Sequence, residues 1–216
     1  MRGCGLSKRT THAKSCFQIT QIQQATESQG RRSRKAKAVA PAVPARIGST
    51  PATKFRGNPA IFGRLVEDHD KHRALIAMIE ATGPKDPDRV ALFEELTKDV
   101  HGHAAAEEQS LWSTVMRVPE TTEFARHAVG DHHKLDKLFA DLAARDITGP
   151  GWLARFAKLK AEYLEHILEE ETEQFVEAEK VLTDKDQRYL RSVFSRRKKA
   201  EKAAAKIARK LMLKPA

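Results

Sequence analysis

Apolar residues recur with a helical period in four successive stretches of this 216-residue chain. The first stretch, for example, places Ile61, Leu65, Leu75 and Ile79 on one face of a helix. A period near 3.6 residues is typical of amphipathic helices, and no stretch alternates as a half-buried strand does. Four such helices with short connections predict an all-α protein, an up-down-up-down four-helix bundle.

Turn and cap residues mark where these helices begin. Asn58-Pro59 and Asp86-Pro87 predict the first two beginnings, because Asn or Asp caps a helix and Pro is tolerated at its first position. Thr121 or Thr122 is a candidate cap for the third helix, and Gly149-Pro150 opens the fourth. The segment from Thr183 to Asp186 resembles a capping box, which predicts a fifth helix.

Charge is divided unevenly along the chain. Residues 1–60 carry a net charge of +11, residues 61–183 a net charge of −10, and residues 184–216 a net charge of +9. Basic segments of this kind attract nucleic acid or another anionic surface. We expect the basic run Arg196-Arg197-Lys198-Lys199 to project into solvent. The chain is therefore predicted to be an acidic core between two basic arms.

The predicted organisation is a basic arm at residues 1–57, the bundle at 58–183, and a basic C-terminal helix and tail at 184–216. The N-terminal arm is polar, basic and without a sustained apolar period, so we expect it to be disordered. Its composition also fits an organellar transit peptide, which stays an alternative. Both cysteines lie in this arm, so the bundle fits a reducing cytoplasm. No internal run approaches the roughly 20 apolar residues of a membrane helix.

One short pattern occurs twice in the predicted bundle. His103 precedes Glu107 by one helical turn, and His166 and Glu170 repeat this pair further along the chain. Residues four apart share a helix face. Two further histidines, each preceded by Asp, are separated by the same offset as the two pairs. The repeated set is His69, His103, Glu107, His132, His166 and Glu170. Imidazole with carboxylate, and no thiol, suits iron, manganese or zinc.

The rise of a helix tests whether these residues can meet. His69 lies about 18 Å before the end of its predicted helix, and His103 lies about 24 Å after the start of the next. Antiparallel packing therefore brings the two residues to a similar height, and the second repeat matches. Buried His and Glu need partners, for which a metal is suited. Six ligands exceed one tetrahedral zinc and suit two metals with bridging carboxylates.

Two other histidines stay open as additional ligands. His127 is five positions before His132 and points about 140° away around the helix axis. It would turn inward only if Gly130 lets the helix deform. His72 lies one turn after His69 and is a similar candidate.

These residues together resemble the hemerythrin-like, or HHE cation-binding, family. That family carries a His, an HxxxE, further His and a second HxxxE on four antiparallel helices. The resemblance covers about residues 59–180 and includes the acidic doublets Glu107-Glu108 and Glu170-Glu171. It implies a non-haem centre of two irons, with manganese or zinc as alternatives. One iron would take His69 and His103, the other His132 and His166, and Glu107 and Glu170 would bridge them.

Two positions depart from the oxygen-carrying members of that family. Those members have an HxxxH on the third helix, but the residue four before His132 is Ala128. They also bridge with an Asp five positions after the last His, where this chain has Glu171. These departures favour redox chemistry or sensing over reversible oxygen carriage.

The function implied by the resemblance is binding or turnover of dioxygen, nitric oxide or peroxide, with enzymatic activity left open. The alternative is a metal-loaded sensor or interaction module whose basic arms contact nucleic acid. Contacts of that kind would neutralise phosphate charge and weaken with salt.

Overall fold

Five helices make up the part of the chain that the structure describes. The computed structural model describes residues 52–83 and 85–204. The predicted disorder of residues 1–51 and the predicted tail from residue 205 lie outside these ranges. Among the residues in these ranges, none of the helices combines the length and the hydrophobicity that a membrane span requires.

The helix bounds are as follows. Helix α1 spans Ile61–Glu80 and helix α3 spans Pro119–Ala143. Helix α2 begins with Asp88–Glu107, continues through a π-helical turn at Glu108–Trp112, and ends with Ser113–Val115. Helix α4 likewise combines Trp152–Glu169, a π-helical turn at Glu170–Gln174, and Phe175–Lys180. Helix α5 spans Asp184–Ala204.

Helices α1 to α4 form the predicted up-down-up-down bundle. Each contacts its neighbour in the chain, and α1 also contacts α4, which closes the ring. Helix α5 packs along α1 and α2. A Cβ at Gly102 would lie 3.0 Å from the Cβ of Lys202 and 3.1 Å from its backbone nitrogen. The absence of a side chain at Gly102 therefore lets α5 approach α2 closely.

Two apolar clusters fill the bundle, one toward each end. The first includes Phe93, Phe139, Trp152 and Phe156. The second includes Phe62, Trp112, Phe175 and Phe194. On every bundle helix, the predicted His and Glu positions lie where residues of one cluster give way to residues of the other. A polar layer therefore crosses an otherwise apolar core.

The capping box predicted from Thr183 to Asp186 is confirmed, whereas the cap predicted at Thr121 or Thr122 is not. Thr183 and Asp186 form the predicted capping box, in which the Thr183 nitrogen donates to Asp186 Oδ2 at 3.1 Å and the Asp186 nitrogen to Thr183 Oγ1 at 3.2 Å. Thr121 and Thr122 do not cap α3, because this helix already begins at Pro119. Their hydroxyls instead donate to backbone carbonyls just before them, such as that of Val118 at 2.9 Å from Thr122.

The last residues that the charge pattern assigned to the N-terminal arm pack on the bundle. Phe55 is 1% exposed, with its ring centroid 4.8 Å from that of Phe62 and 6.1 Å from that of Phe175. Lys54 also pairs with Glu179. Residues 52–57 therefore belong with the bundle, because an aromatic ring among polar residues finds an apolar site there.

Candidate metal centre

The structure brings all six predicted residues into the polar layer between the two apolar clusters. Each of them is at most 5% exposed. Helix α1 carries His69, α2 carries His103 and Glu107, α3 carries His132, and α4 carries His166 and Glu170. The side chains divide into two halves that correspond to the two repeats.

His69 and His103 form the first half of this site. Their Nε2 atoms are 3.3 Å apart. His69 Nε2 lies 3.3 Å from Glu170 Oε2, and His103 Nε2 lies 3.4 Å from Glu107 Oε2. Atoms of His69, His103 and Glu170 lie within 4.8 Å of one another, as the ligands of one metal ion would.

His132 and His166 form the second half. Their ring centroids are 5.0 Å apart. Glu170 Oε1 lies 3.5 Å from His166 Nε2 and 3.9 Å from His132 Nε2. His132, His166 and Glu170 also offer atoms within 4.8 Å of one another, so this half could hold a second ion.

Glu107 and Glu170 each reach both halves. Glu107 Oε2 is 3.4 Å from His103 Nε2 and 3.6 Å from His132 Nε2, while the two oxygens of Glu170 face opposite halves. All four carboxylate oxygens are buried and have no hydrogen-bond partner among the described residues. Leaving buried carboxylates unpaired is costly. The donor set therefore fits metal cations held between the two histidine pairs.

The pKa values of the two carboxylates show the same need for positive charge. Burial, followed by repulsion from Glu107, raises the pKa of Glu170 well above its ordinary value. Burial alone would also raise the pKa of Glu107, but the neighbouring histidines, with His103 foremost, lower it. Cations between the two groups would let both carboxylates ionise.

The second ring nitrogens of two histidines are held across the repeats. His69 Nδ1 donates to Glu171 Oε1 at 2.8 Å, and His132 Nδ1 donates to Glu108 Oε1 at 2.8 Å. Such carboxylates fix the ring orientation and leave Nε2 for a metal. Glu108 and Glu171 are themselves separated by the offset of the repeat. That shared offset is the sequence signal that the two glutamates have the same role. The predicted set of six residues did not include them.

His103 and His166 differ in the partner of this second nitrogen. His103 Nδ1 donates to Asp68 Oδ2 at 3.2 Å. His166 Nδ1 is 3.9 Å from Asp131 Oδ2, too far for a hydrogen bond. Burial lowers the pKa of both imidazoles, but the nearby carboxylates of Asp68 and Glu107 raise that of His103 overall. The pKa of His166 stays well below its ordinary value, through burial and the nearby histidines.

A π-helical turn begins at or directly after the Glu of each HxxxE pair, and nothing in the apolar period predicted these turns. They begin at Glu108 in α2 and at Glu170 in α4. A π turn frees carbonyls from the regular hydrogen-bond pattern and is frequent at functional sites. Side-chain hydroxyls bond to carbonyls just before each turn: Ser110 donates to Ala106 at 2.6 Å, and Thr172 donates to Leu168 at 2.7 Å.

His72, one of the two open candidates, lies beside the centre but its nitrogens have other neighbours. Its Nδ1 is 2.5 Å from the hydroxyl of Tyr163, and its Nε2 is 3.4 Å from Asp99 Oδ2. Burial lowers the pKa of His72 to about 3, so the ring is neutral. His72 is therefore a hydrogen-bonded core residue in this structure.

His127, the other open candidate, faces away from the six-residue layer. Its side chain is 53% exposed, and its Nε2 is 3.1 Å from Glu169 Oε2. The helix does not deform at Gly130, since α3 is regular from Pro119 to Ala143. Because α3 is regular, the wide angle between His127 and His132 around the helix axis is kept. The side chain of His127 therefore points away from the layer.

A lysine on α5 contacts acidic side chains next to the first half of the centre. The run Arg196-Arg197-Lys198-Lys199 is predicted to project into solvent, but for Lys198, which is 5% exposed, this prediction is wrong. Lys198 Nζ lies 2.6 Å from Asp68 Oδ2 and 3.2 Å from Asp99 Oδ1. In an amphipathic helix, one residue of a four-residue run falls on the buried face. In α5 that residue is Lys198, which pairs with two buried acids.

Comparisons with known proteins point to one family. A family model described as the Hemerythrin HHE cation binding domain matches residues 60–178. The crystal structure of a hemerythrin HHE cation binding domain-containing protein from Mycobacterium kansasii superposes with a TM-score of 0.59 and 18% sequence identity, covering 71% of this chain and 90% of that chain. At this identity the likeness shows the fold alone. No curated protein matches the chain.

Proposed function

Because the chain belongs to the hemerythrin HHE cation-binding domain family, we propose that it holds two non-haem irons and binds or turns over dioxygen, nitric oxide or peroxide. One observation carries the proposal: Glu107 and Glu170, buried and unpaired, each lie between the two histidine pairs. Manganese or zinc would suit the same donor types.

The protein residues would prepare the centre by fixing each imidazole. Glu171, Glu108 and Asp68 accept hydrogen bonds from three Nδ1 atoms, which fixes the rings so that the corresponding Nε2 atoms are directed inward. Irons bound there would supply one-electron chemistry and, with only six protein ligands, positions for a small ligand.

The surroundings favour a small, uncharged ligand. The ring of Phe175 stacks on His69 with centroids 5.9 Å apart, and Phe194 packs edge-on against His103 at 5.5 Å. Both aromatic side chains are fully buried. They exclude bulk water from the first half and leave no room there for a large substrate.

The test is rapid mixing of the iron-loaded protein with dioxygen, nitric oxide and peroxide in turn. We expect an optical change with at least one of them, and steady consumption if the protein is an enzyme. A Glu107→Gln, Glu170→Gln double variant should lose the change, because its bridging charges are gone. A loaded protein that responds to none of the three would contradict the proposal.

The nucleic-acid alternative gains no support from the described residues. Lys198 and Lys202 of the basic helix α5 face acids of the bundle, with Lys202 Nζ 2.7 Å from Glu95 Oε1 and 2.8 Å from Asp99 Oδ1. These two charges are therefore engaged within the chain.

A further inference from the structure

A surface cavity of about 190 Å³ lies beside the second half of the centre. Helices α3 and α4 line it, and its lining residues include His127, Asp131, Glu165, His166 and Glu169. His166 is 4% exposed, whereas the side chain of His127 is 53% exposed. The cavity therefore connects solvent with a proposed metal ligand.

Three of these side chains converge on one point. His127 Nε2 lies 3.2 Å from Asp131 Oδ2 and 3.1 Å from Glu169 Oε2. One atom from each lies within 4.8 Å of the others. Lys134 pairs with Asp131 Oδ1 at 2.6 Å. The other oxygen of Asp131, Oδ2, is the one that contacts His127. One imidazole and two carboxylates suit a divalent first-row metal ion.

A second observation points to a ligand in the same place. His166 Nδ1 is buried and has no hydrogen-bond partner, although it is 3.9 Å from Asp131 Oδ2. Nδ1 of each of the other three histidines bonds to a carboxylate. Asp131 Oδ2 therefore lies between the exposed cluster and the centre, in contact with His127 but too far from His166 Nδ1 for a hydrogen bond.

The first repeat shows what fills the equivalent position. There Arg64 stands where the second repeat has His127. Arg64 NH1 is 2.6 Å from Asp68 Oδ1, and Lys198 Nζ is 2.6 Å from Asp68 Oδ2. Fixed cations thus occupy both oxygens of Asp68. In the second repeat an imidazole replaces the guanidinium, and a neutral imidazole can coordinate a metal where Arg cannot.

We propose that His127, Asp131 and Glu169 form an entry site that captures a divalent metal ion from solvent and delivers it to the centre past His166. This inference rests on the proposed function, because it requires a centre that takes up metal. The entry site has fewer and more exposed ligands than the centre, so it binds more weakly and can release the ion inward.

The test is the rate at which the metal-free full chain takes up cobalt(II), followed by visible absorption. A His127→Gln, Glu169→Gln variant removes two of the three ligands. A His133→Gln, Glu165→Gln variant is the matched control, because it makes the same chemical changes on the same helices. His133 and Glu165 are both exposed, and Glu165 lines the cavity without belonging to the cluster.

We expect wild type, variant and control to reach the same final cobalt content, with the variant about 10-fold slower, since a charged site of this kind raises on-rates by that order or more. Equal rates for variant and wild type would overturn the entry site and leave the centre standing. Equal slowing of variant and control would also overturn it, in favour of a general charge effect. If wild type takes up no cobalt, the proposed centre fails, and the entry site with it.

Discussion

The two halves of the centre are built from equivalent residues but have different surroundings. In the first half, α5 covers the bundle where Gly102 admits it, and Lys198 reaches Asp68. In the second half, the residue equivalent to Gly102 is the exposed Glu165, and Asp131 faces a cavity. The repeat thus sets the positions of the His and Glu side chains, whereas the fifth helix closes one half and leaves the other accessible.

The charges around the halves differ in the same sense. Burial alone would raise the pKa of Asp68, but His103, Lys198 and Arg64 together hold it far below its ordinary value. In the second half, burial and the neighbouring histidines lower the pKa of His166, whose Nδ1 has no hydrogen-bond partner among the described residues. The first half is therefore a paired, closed network, and the second is an open one.

The largest expected difference comes from removing one lysine in each half. Lys198→Ala should lower the free energy of unfolding by about 3 kcal/mol, because it breaks a buried ion pair with Asp68 and Asp99. Lys134→Ala, which removes an exposed partner of Asp131, should leave it unchanged within error. Denaturant unfolding of the metal-loaded chains measures both.

Lys198→Met serves as the control, since it keeps most of the side-chain volume and loses the charge. It should cost nearly as much as Lys198→Ala, because the lost charge carries the effect. If Lys198→Ala and Lys134→Ala cost the same, the contrast between a closed and an open half is wrong.

A smaller difference is expected from the carboxylates that hold His69 and His132. Glu171→Gln should weaken metal binding by roughly 10–100-fold, because Glu171 is 2% exposed and Arg73 also bonds to its Oε1 at 2.9 Å. Glu108→Gln should weaken it less, since the Glu108 side chain is 38% exposed and water can replace it.

Chelator competition measures these affinities, with Glu173→Gln as the matched control on the same helix because Glu173 is exposed. A greater loss of metal affinity for Glu108→Gln than for Glu171→Gln would contradict the expectation that the more buried carboxylate contributes more.

The smallest expected effect is a difference in pH dependence in the metal-free chain. The pKa of His166 is lowered from 6.5, so the unfolded chain takes up its proton first and stability falls as pH drops below about 6.5. The pKa of His103 is raised, so its contribution is fully present below about 6.5 and is lost as pH rises through the higher value.

His166→Asn should therefore flatten the loss of stability as pH falls below about 6.5, and His103→Asn should flatten the loss of stability as pH rises above about 6.5. Denaturant unfolding between about pH 5.5 and about pH 8 reads out both slopes. Parallel curves for the two variants would show that the halves titrate alike.

Sequence alone predicted the bundle and the meeting of the six ligand-type residues, because the apolar period and the shared offset can both be read directly from the order of residues. It did not predict that Lys198 turns inward, since that depends on Asp68 and Asp99 from two other helices. Phe55 falls in the predicted arm for a similar reason: its apolar site exists only once α1 and α4 have packed. The π turns were not predicted, because the apolar period of the sequence gives no signal for them.

The central claim is one centre of two metal ions shared by Glu107 and Glu170. Elemental analysis of the full chain, purified after expression in iron-replete medium, tests it most directly. We expect about two irons per chain, because six His and Glu ligands exceed what one tetrahedral ion takes, and fewer than one in the Glu107→Gln, Glu170→Gln variant. A single zinc per chain, with no iron-dependent absorption, would contradict the claim.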